Sequence, residues 1–223
     1  MNARQFGHLL DHTLLSPEST EADIIAVSKE ALFWNCATLA VEPKYVATAS
    51  HVLKGSDTGI TVGIAYPDGC LPTSLKARQI EKAIEHGASD VDYVIDIGAL
   101  REGDDKSVVE ELKTLRKASE GFILKCILEV SLLSDEEIKR ACAICVDGGA
   151  DFVKSSTGYY HRATMEQIAL MCSCVKGSGT HVKAAGGFSS LSKIKQAIEL
   201  GVTRIGTSSA MSVMRQFLSE EGL

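Results

Sequence analysis

The chain changes its hydrophobic period eight times. Short apolar or β-branched runs at 9–14, 36–41, 59–65, 91–95, 122–129, 151–154, 181–185 and 204–207 alternate with segments whose apolar residues recur at helical spacing. Strand, helix, strand in that rhythm means parallel strands joined by right-handed crossovers, and eight units is the number at which such a sheet closes on itself. The sequence therefore predicts an α/β protein, a single (β/α)8 TIM barrel over residues 1–223, and a length in the low two hundreds suits one such domain. An open doubly wound sheet is the alternative. It calls for a glycine-rich dinucleotide turn early in the chain, and no GxGxxG follows the first strands.

The joints support the rhythm. Ser134 with Glu137 forms a capping box before Ile138, and Thr20 with Asp23 a weaker one before Ile24. Val108, Leu112 and Leu115 give one helix its apolar stripe. "EHGASDV", "DGGADFV" and "ELGVTRI" each stop a helix at glycine, the residue that accepts a left-handed C′ position, and then enter a strand. Together they form a degenerate repeat of one α-to-β joint.

Charge and composition exclude several classes. A formal charge of −6, a pI near 5.5 and the lack of a dense basic run argue against nucleic-acid partners, so any anion must be held locally. No export signal opens the chain and no window reaches eighteen uninterrupted apolar residues, so no membrane association is expected and a soluble, cytoplasmic protein is. Seven cysteines in such a chain are expected to be reduced. Cys142 and Cys145 spell CxxC, but they share a helical face with Ile138 near a helix end and read as small core residues, not as a redox or zinc pair.

Two lysines break the pattern. Lys154 follows Phe152 and Val153 and precedes "SSTG", and Lys183 sits on the next short strand before "AAGG". In a (β/α)8 barrel, catalytic groups sit at the carboxyl ends of strands, so these two amines would lie side by side in the mouth. An amine attacks only when deprotonated, and lysine's reference pKa of about 10.4 keeps it protonated at neutral pH. Burial and a second cation lower it, which is the usual route to a Schiff-base lysine. The bland reading of a strand-end lysine, a rim ion pair, fits one such residue better than two on adjacent strands.

Carboxylates share the mouth. Asp90, Asp92 and Asp96 fall on one strand face by the period of two, with Asp92 best placed for chemistry and Asp96 read as structural. Asp11 lies on the first strand. Lys125 and Glu129, i and i+4 along one strand, are expected to form a buried ion pair. After strands seven and eight, "GGFSS" and "GTSSAMS" open helices with glycines and hydroxyls, so that backbone N–H groups and the helix ends can hold an anion. The plain alternative makes Ser189, Ser208 and Ser209 mere N-caps.

"LDHTLL", "VDYVIDIGALREGD", "LKCILEVSLLSDEEI", "ADFVKSSTGY", "VKAAGG" and "TRIGTSS", in this order from residue 10 to residue 209, resemble the deoxyribose-phosphate aldolases. That resemblance implies a class I aldolase on a (β/α)8 barrel that reversibly cleaves 2-deoxy-D-ribose 5-phosphate to acetaldehyde and D-glyceraldehyde 3-phosphate without a metal or other cofactor. It implies Lys154 as the Schiff-base lysine, Lys183 as the neighbour that lowers its pKa, Asp92 as the acid that moves protons through water, and Asp11 as a supporting carboxylate. Thr157, Gly158, Gly186, Gly187, Gly206, Ser208 and Ser209 stand where the family holds the phosphate. Its partners would be a small sugar phosphate and an aldehyde, and a homodimer is the family's common state.

Departures cluster at the substrate end. The family's "VCVNP" is "LAVEP" here, with Ala40 and Glu42; its "GFPLG" is "AYPDG", with Asp68; its "GGIRT" lacks the arginine and continues Phe188, Ser189. Ala210 replaces a common glycine and Val130 ends "ILEV". Lys176 or Arg162 are candidates to supply the missing positive charge. Two rivals follow: a sibling class I aldolase with a different or unphosphorylated acceptor, and a barrel that binds a sugar phosphate without turning it over.

Overall fold

The computed structural model describes residues 1–222. A short helix, α1 (Ala3–Gly7), leads into β1 (Leu10–Leu14). Then come α2 (Glu21–Phe33), β2 (Thr38–Val41), α3 (Val46–Leu53), β3 (Gly59–Ile64), α4 (Thr73–Glu85) and β4 (Asp90–Val94). Two helices, α5 (Ile97–Glu102) and α6 (Asp105–Ala118), precede β5 (Ile123–Ile127), which is followed by α7 (Asp135–Asp147) and β6 (Phe152–Lys154). The chain ends with α8 (Met165–Val175), β7 (His181–Ala184), α9 (Leu191–Glu199), β8 (Arg204–Thr207) and α10 (Ala210–Glu220). All eight strands are parallel and hydrogen-bonded in sequence order, and β8 pairs with β1 to close the barrel.

The predicted joints are present. Ser134 and Thr20 both make two-sided capping boxes. Gly87, Gly149 and Gly201 adopt φ of +108°, +75° and +106° between a helix and the strand that follows. Val108, Leu112 and Leu115 are buried on α6, and Cys142 and Cys145 are buried on α7 as small core residues. All seven cysteines are free. Among the described residues no helix is long and apolar enough to cross a membrane.

Several predicted strands run past the observed ends, for a local reason. Ala65 and Glu129 adopt φ of +51° and +52°, a left-handed backbone that cannot continue an extended strand. Residues 59–65 therefore stop at Ile64, and residues 122–129 stop at Ile127. Asp96 has also left its strand. It caps α5, accepting the Ala99 N–H at 3.0 Å, which agrees with a structural role.

Strand alternation sorts the two faces of the barrel. Val91, Tyr93, Leu124, Cys126, Val153 and Val182 belong to the apolar core, while their neighbours along each strand, Asp90, Asp92, Lys125, Lys154 and Lys183, form buried polar contacts with one another. The interior is thus filled largely by charge. Phe152 is an exception, and its ring lies 5.9 Å from the Lys125 ammonium and 5.5 Å from the Arg204 guanidinium.

Candidate active site

Parallel pairing sets Lys154 directly opposite Lys183 in the β6–β7 register. With the same layer and the same face, both amines reach one acceptor: Asp92 Oδ2 receives Lys154 Nζ at 2.9 Å and Lys183 Nζ at 2.7 Å. Asp92 Oδ1 is 3.1 Å from Lys125 Nζ, whose other partner is Asp90 at 2.6 Å. Lys183 also meets Asp11 at 2.5 Å, and Arg204 joins Asp11 at 2.9 Å and Asp90 at 3.7 Å. Four cations and three carboxylates therefore form one contiguous network, with one positive charge in excess when every group is ionised.

Burial makes that excess consequential. Asp11, Asp92, Lys125 and Lys183 are each 1% exposed or less, and Lys154 is 5% exposed. Burial pushes the Lys183 ammonium down and the charges of Lys154 and Lys125 add to that, outweighing the pull of Asp11 and Asp92. For Lys125 burial pushes the same way, but Asp92, Asp90 and Asp11 prevail and hold it above the ordinary lysine range. Burial would raise both carboxyls, yet Lys125, Lys154 and Lys183 hold Asp92 well below the usual range, and Lys183, Arg204 and Lys125 do the same for Asp11. The downward push on Lys183 thus falls on the most deeply buried amine that touches the cavity.

The network floors a cavity of about 510 Å³ at the carboxyl ends of the strands. Lys154, Lys183 and Asp92 reach its wall, as do Thr157, Gly158, Gly186, Gly187, Gly206 and Ser208. Asp11 lies beneath the floor. Ser209 is outside the wall, its N–H donated to Thr207 Oγ1 at 3.0 Å, so of the expected phosphate residues it is the one the cavity does not include. The serines do not cap as the plain alternative had it. Ser190, not Ser189, caps α9, and Ser209 stands at the head of α10 without a side-chain cap bond.

Two expectations are overturned. Lys125 and Glu129 do not pair: Glu129 has turned out of the strand, and its carboxylate accepts the Thr157 N–H at 2.9 Å and the Thr157 hydroxyl. Lys176 is exposed beyond the last residue of α8, beside the amino end of β7, and is remote from the cavity. Arg162, the other candidate helper, packs its aliphatic stem on Gly187, where an added Cβ would stand 2.9 Å from Arg162 Cγ and Cδ. Sequence reasoning missed Lys193. From the first turn of α9 it donates to Gly187 O at 3.1 Å and lies 4.5 Å from the Phe188 ring. It also missed Arg204 and Tyr66. Among the described residues no group of three or more His, Cys, Asp or Glu side chains is arranged to hold a metal ion.

Residues 8–216 match the model of the DeoC/LacD family of aldolases. The chain belongs to that family. It is 42% identical to the deoxyribose-phosphate aldolase of Halalkalibacterium halodurans over 98% of both chains, and 39% identical to that of Carboxydothermus hydrogenoformans over 99% of both. Among solved structures, the tetrameric deoxyribose phosphate aldolase of Aeropyrum pernix superposes with a TM-score of 0.91 at 29% identity, covering 98% of this chain and 93% of its own. In this aldolase-family barrel, then, the paired lysines lie at the strand ends where the fold keeps its chemistry.

Proposed function

We propose that this protein is a class I aldolase that cleaves 2-deoxy-D-ribose 5-phosphate to acetaldehyde and D-glyceraldehyde 3-phosphate, and that it does so through a Schiff base on Lys154. The observation that carries the reading is the single oxygen, Asp92 Oδ2, shared by Lys154 and a Lys183 whose proton affinity is lowered. Asp92, bonded to both amines, can take the proton that Lys154 must give up before it attacks, and the positive charge of Lys183 on the same oxygen opposes that proton's return.

The neutral Lys154 amine adds to C1 of the open-chain sugar, and loss of water from the carbinolamine leaves an iminium. Removal of the C3 hydroxyl proton breaks the C2–C3 bond. The electron pair moves into the iminium, glyceraldehyde 3-phosphate departs and an enamine remains. Protonation at C2 and hydrolysis release acetaldehyde and return the amine. Asp92, held ionised by three ammonium groups, serves the proton transfers through water, and Asp11 fixes Lys183 from below.

The anionic end of the sugar would lie against Gly158, Gly186, Gly187, Gly206 and Ser208, where the left-handed Gly158, Gly186 and Gly187 bring the backbone close, with Thr157 beside them. Lys193 and Arg162 add positive charge behind Gly187, in place of the arginine that the family motif carries after its glycine pair. One barrel domain would suffice for the reaction. A homo-oligomeric, cytoplasmic enzyme completes the reading: the Aeropyrum pernix relative is tetrameric, and seven free thiols suit a reducing compartment.

Borohydride added with acetaldehyde tests the chemistry. Intact mass and peptide mapping are expected to find a reduced two-carbon adduct on Lys154, and an unmodified Lys154 sinks the reading. Turnover of deoxyribose 5-phosphate against deoxyribose then tests the anion site; equal kcat/KM on the two would favour the sibling aldolase with an unphosphorylated acceptor.

A further inference from the structure

The reaction as written leaves Tyr66 without a role, yet this side chain touches both halves of the site. Its hydroxyl donates to Thr157 O at 2.6 Å, and its ring centroid lies 5.4 Å from Lys154 Nζ. Tyr159 meets the Tyr66 ring edge-on at 5.6 Å and donates its own hydroxyl to Leu15 O at 3.1 Å, so three strand-end loops are joined. The backbone is shaped to admit this ring. Ala65 takes a left-handed φ of +51°, and a Cβ on Gly63 would stand 3.0 Å from the nearest Tyr66 ring atom.

Peptide planarity extends the effect of the hydroxyl. In a trans peptide, C=O and N–H point in opposite directions, so a Thr157 carbonyl captured by Tyr66 directs the Gly158 N–H away from that ring. Glu129 holds the same loop from its other side through the Thr157 N–H. The Gly158 N–H has no protein acceptor among the described residues, and Gly158 lies against Gly186, whose added Cβ would be 3.7 Å from Gly158 N. Burial, then Asp92 and Glu129, push the Tyr66 phenol well above its ordinary range, so it remains a donor at any working pH.

We infer that Tyr66 is a positioning residue linking the two ends of the site: its hydroxyl holds the 157–158 peptide so that the Gly158 N–H is offered to the substrate phosphate, and its ring face stabilises the cation formed at Lys154. The inference rests on the Schiff-base and phosphate reading above and deepens it.

Tyr66→Phe keeps the ring and loses the hydrogen bond. Its KM for deoxyribose 5-phosphate is expected to rise about fivefold, the worth of one neutral hydrogen bond, with kcat within about twofold and KM for unphosphorylated deoxyribose unchanged. Inhibition by inorganic phosphate should weaken in step. Tyr66→Leu removes the ring as well, and the rate of borohydride trapping with acetaldehyde should fall at least about threefold below that of Tyr66→Phe, a modest cation–π contribution. Equal changes in KM for the two sugars, or none, would overturn the hydroxyl's role; equal trapping rates in Phe and Leu variants would overturn the ring's. Failure of the unaltered protein to trap acetaldehyde at all removes the aldolase reading itself, and this inference with it.

Discussion

Lys183→Met isolates the positive charge that sits beside Lys154. Asp11 keeps Arg204 at 2.9 Å and Asp92 keeps Lys125 and Lys154 at 3.1 and 2.9 Å, so each carboxylate retains a cation and the barrel should fold. The network, however, changes from four cations against three carboxylates to an even balance. Removing the proton of Lys154 now creates a net buried negative charge. Taking adjacent strands as about 4.8 Å apart and an effective dielectric of about 20, one missing unit charge is worth about 3 kcal/mol, or between a hundred- and a thousandfold in reactive amine. The cleavage rate at pH 7 should fall by about that factor and recover at least about tenfold by pH 10, as alkali removes the proton that the charge of Lys183 no longer opposes. The assay follows release of glyceraldehyde 3-phosphate from pH 6 to 10, with circular dichroism to confirm the fold. An undiminished rate at pH 7, or a folded variant equally slow at every pH, would refute the coupling of the two amines.

Lys125→Met strips Asp90 and Asp92 of a buried partner, and breaking such a pair costs about 3–5 kcal/mol; the urea midpoint should drop accordingly, and an unchanged midpoint would mean that the network is not stabilising the barrel. Asp11 and Asp92 have folded-state pKa values below their unfolded ones, so their contribution is complete above about pH 5 and is lost as pH falls past the unfolded value toward the folded ones. Urea midpoints should therefore decline from pH 5 to pH 3, with a shallower decline in Asp11→Asn; a midpoint that rises over that range would contradict the assignment. Ser134→Ala removes the N-cap of α7 and should cost about 1 kcal/mol, a Tm loss of about 2–4 °C, with kcat unchanged. A Tm unmoved by this change would show that the capping box contributes nothing.

Local chemistry was legible in the sequence because it is written in neighbouring residues. Period and glycine joints gave eight strands and their helices, and capping boxes gave helix starts. Lysines at two consecutive strand ends pointed to the catalytic face, since parallel neighbours in one layer stand side by side. The strand period told which face each charged residue takes, and nothing about which charge across the interior it would meet. Lys125 illustrates the limit: Glu129, four residues on, looked like its partner, yet a left-handed backbone at Glu129 sent that carboxylate to Thr157 and left Lys125 to Asp90 and Asp92.

Tyr66 and Lys193 were invisible for a similar reason, because each acts on the backbone of a loop distant in sequence. Arg204 reaches Asp11 only because β8 closes on β1. What the sequence by itself determined is the set of parts and the face each presents, through the 2.0 and 3.6 residue periods of extended and helical backbone. Which buried charges meet was decided by closure of the barrel alone, for inside it an ion pair depends on distance in space and on scarce solvation, and neither is encoded in spacing along the chain.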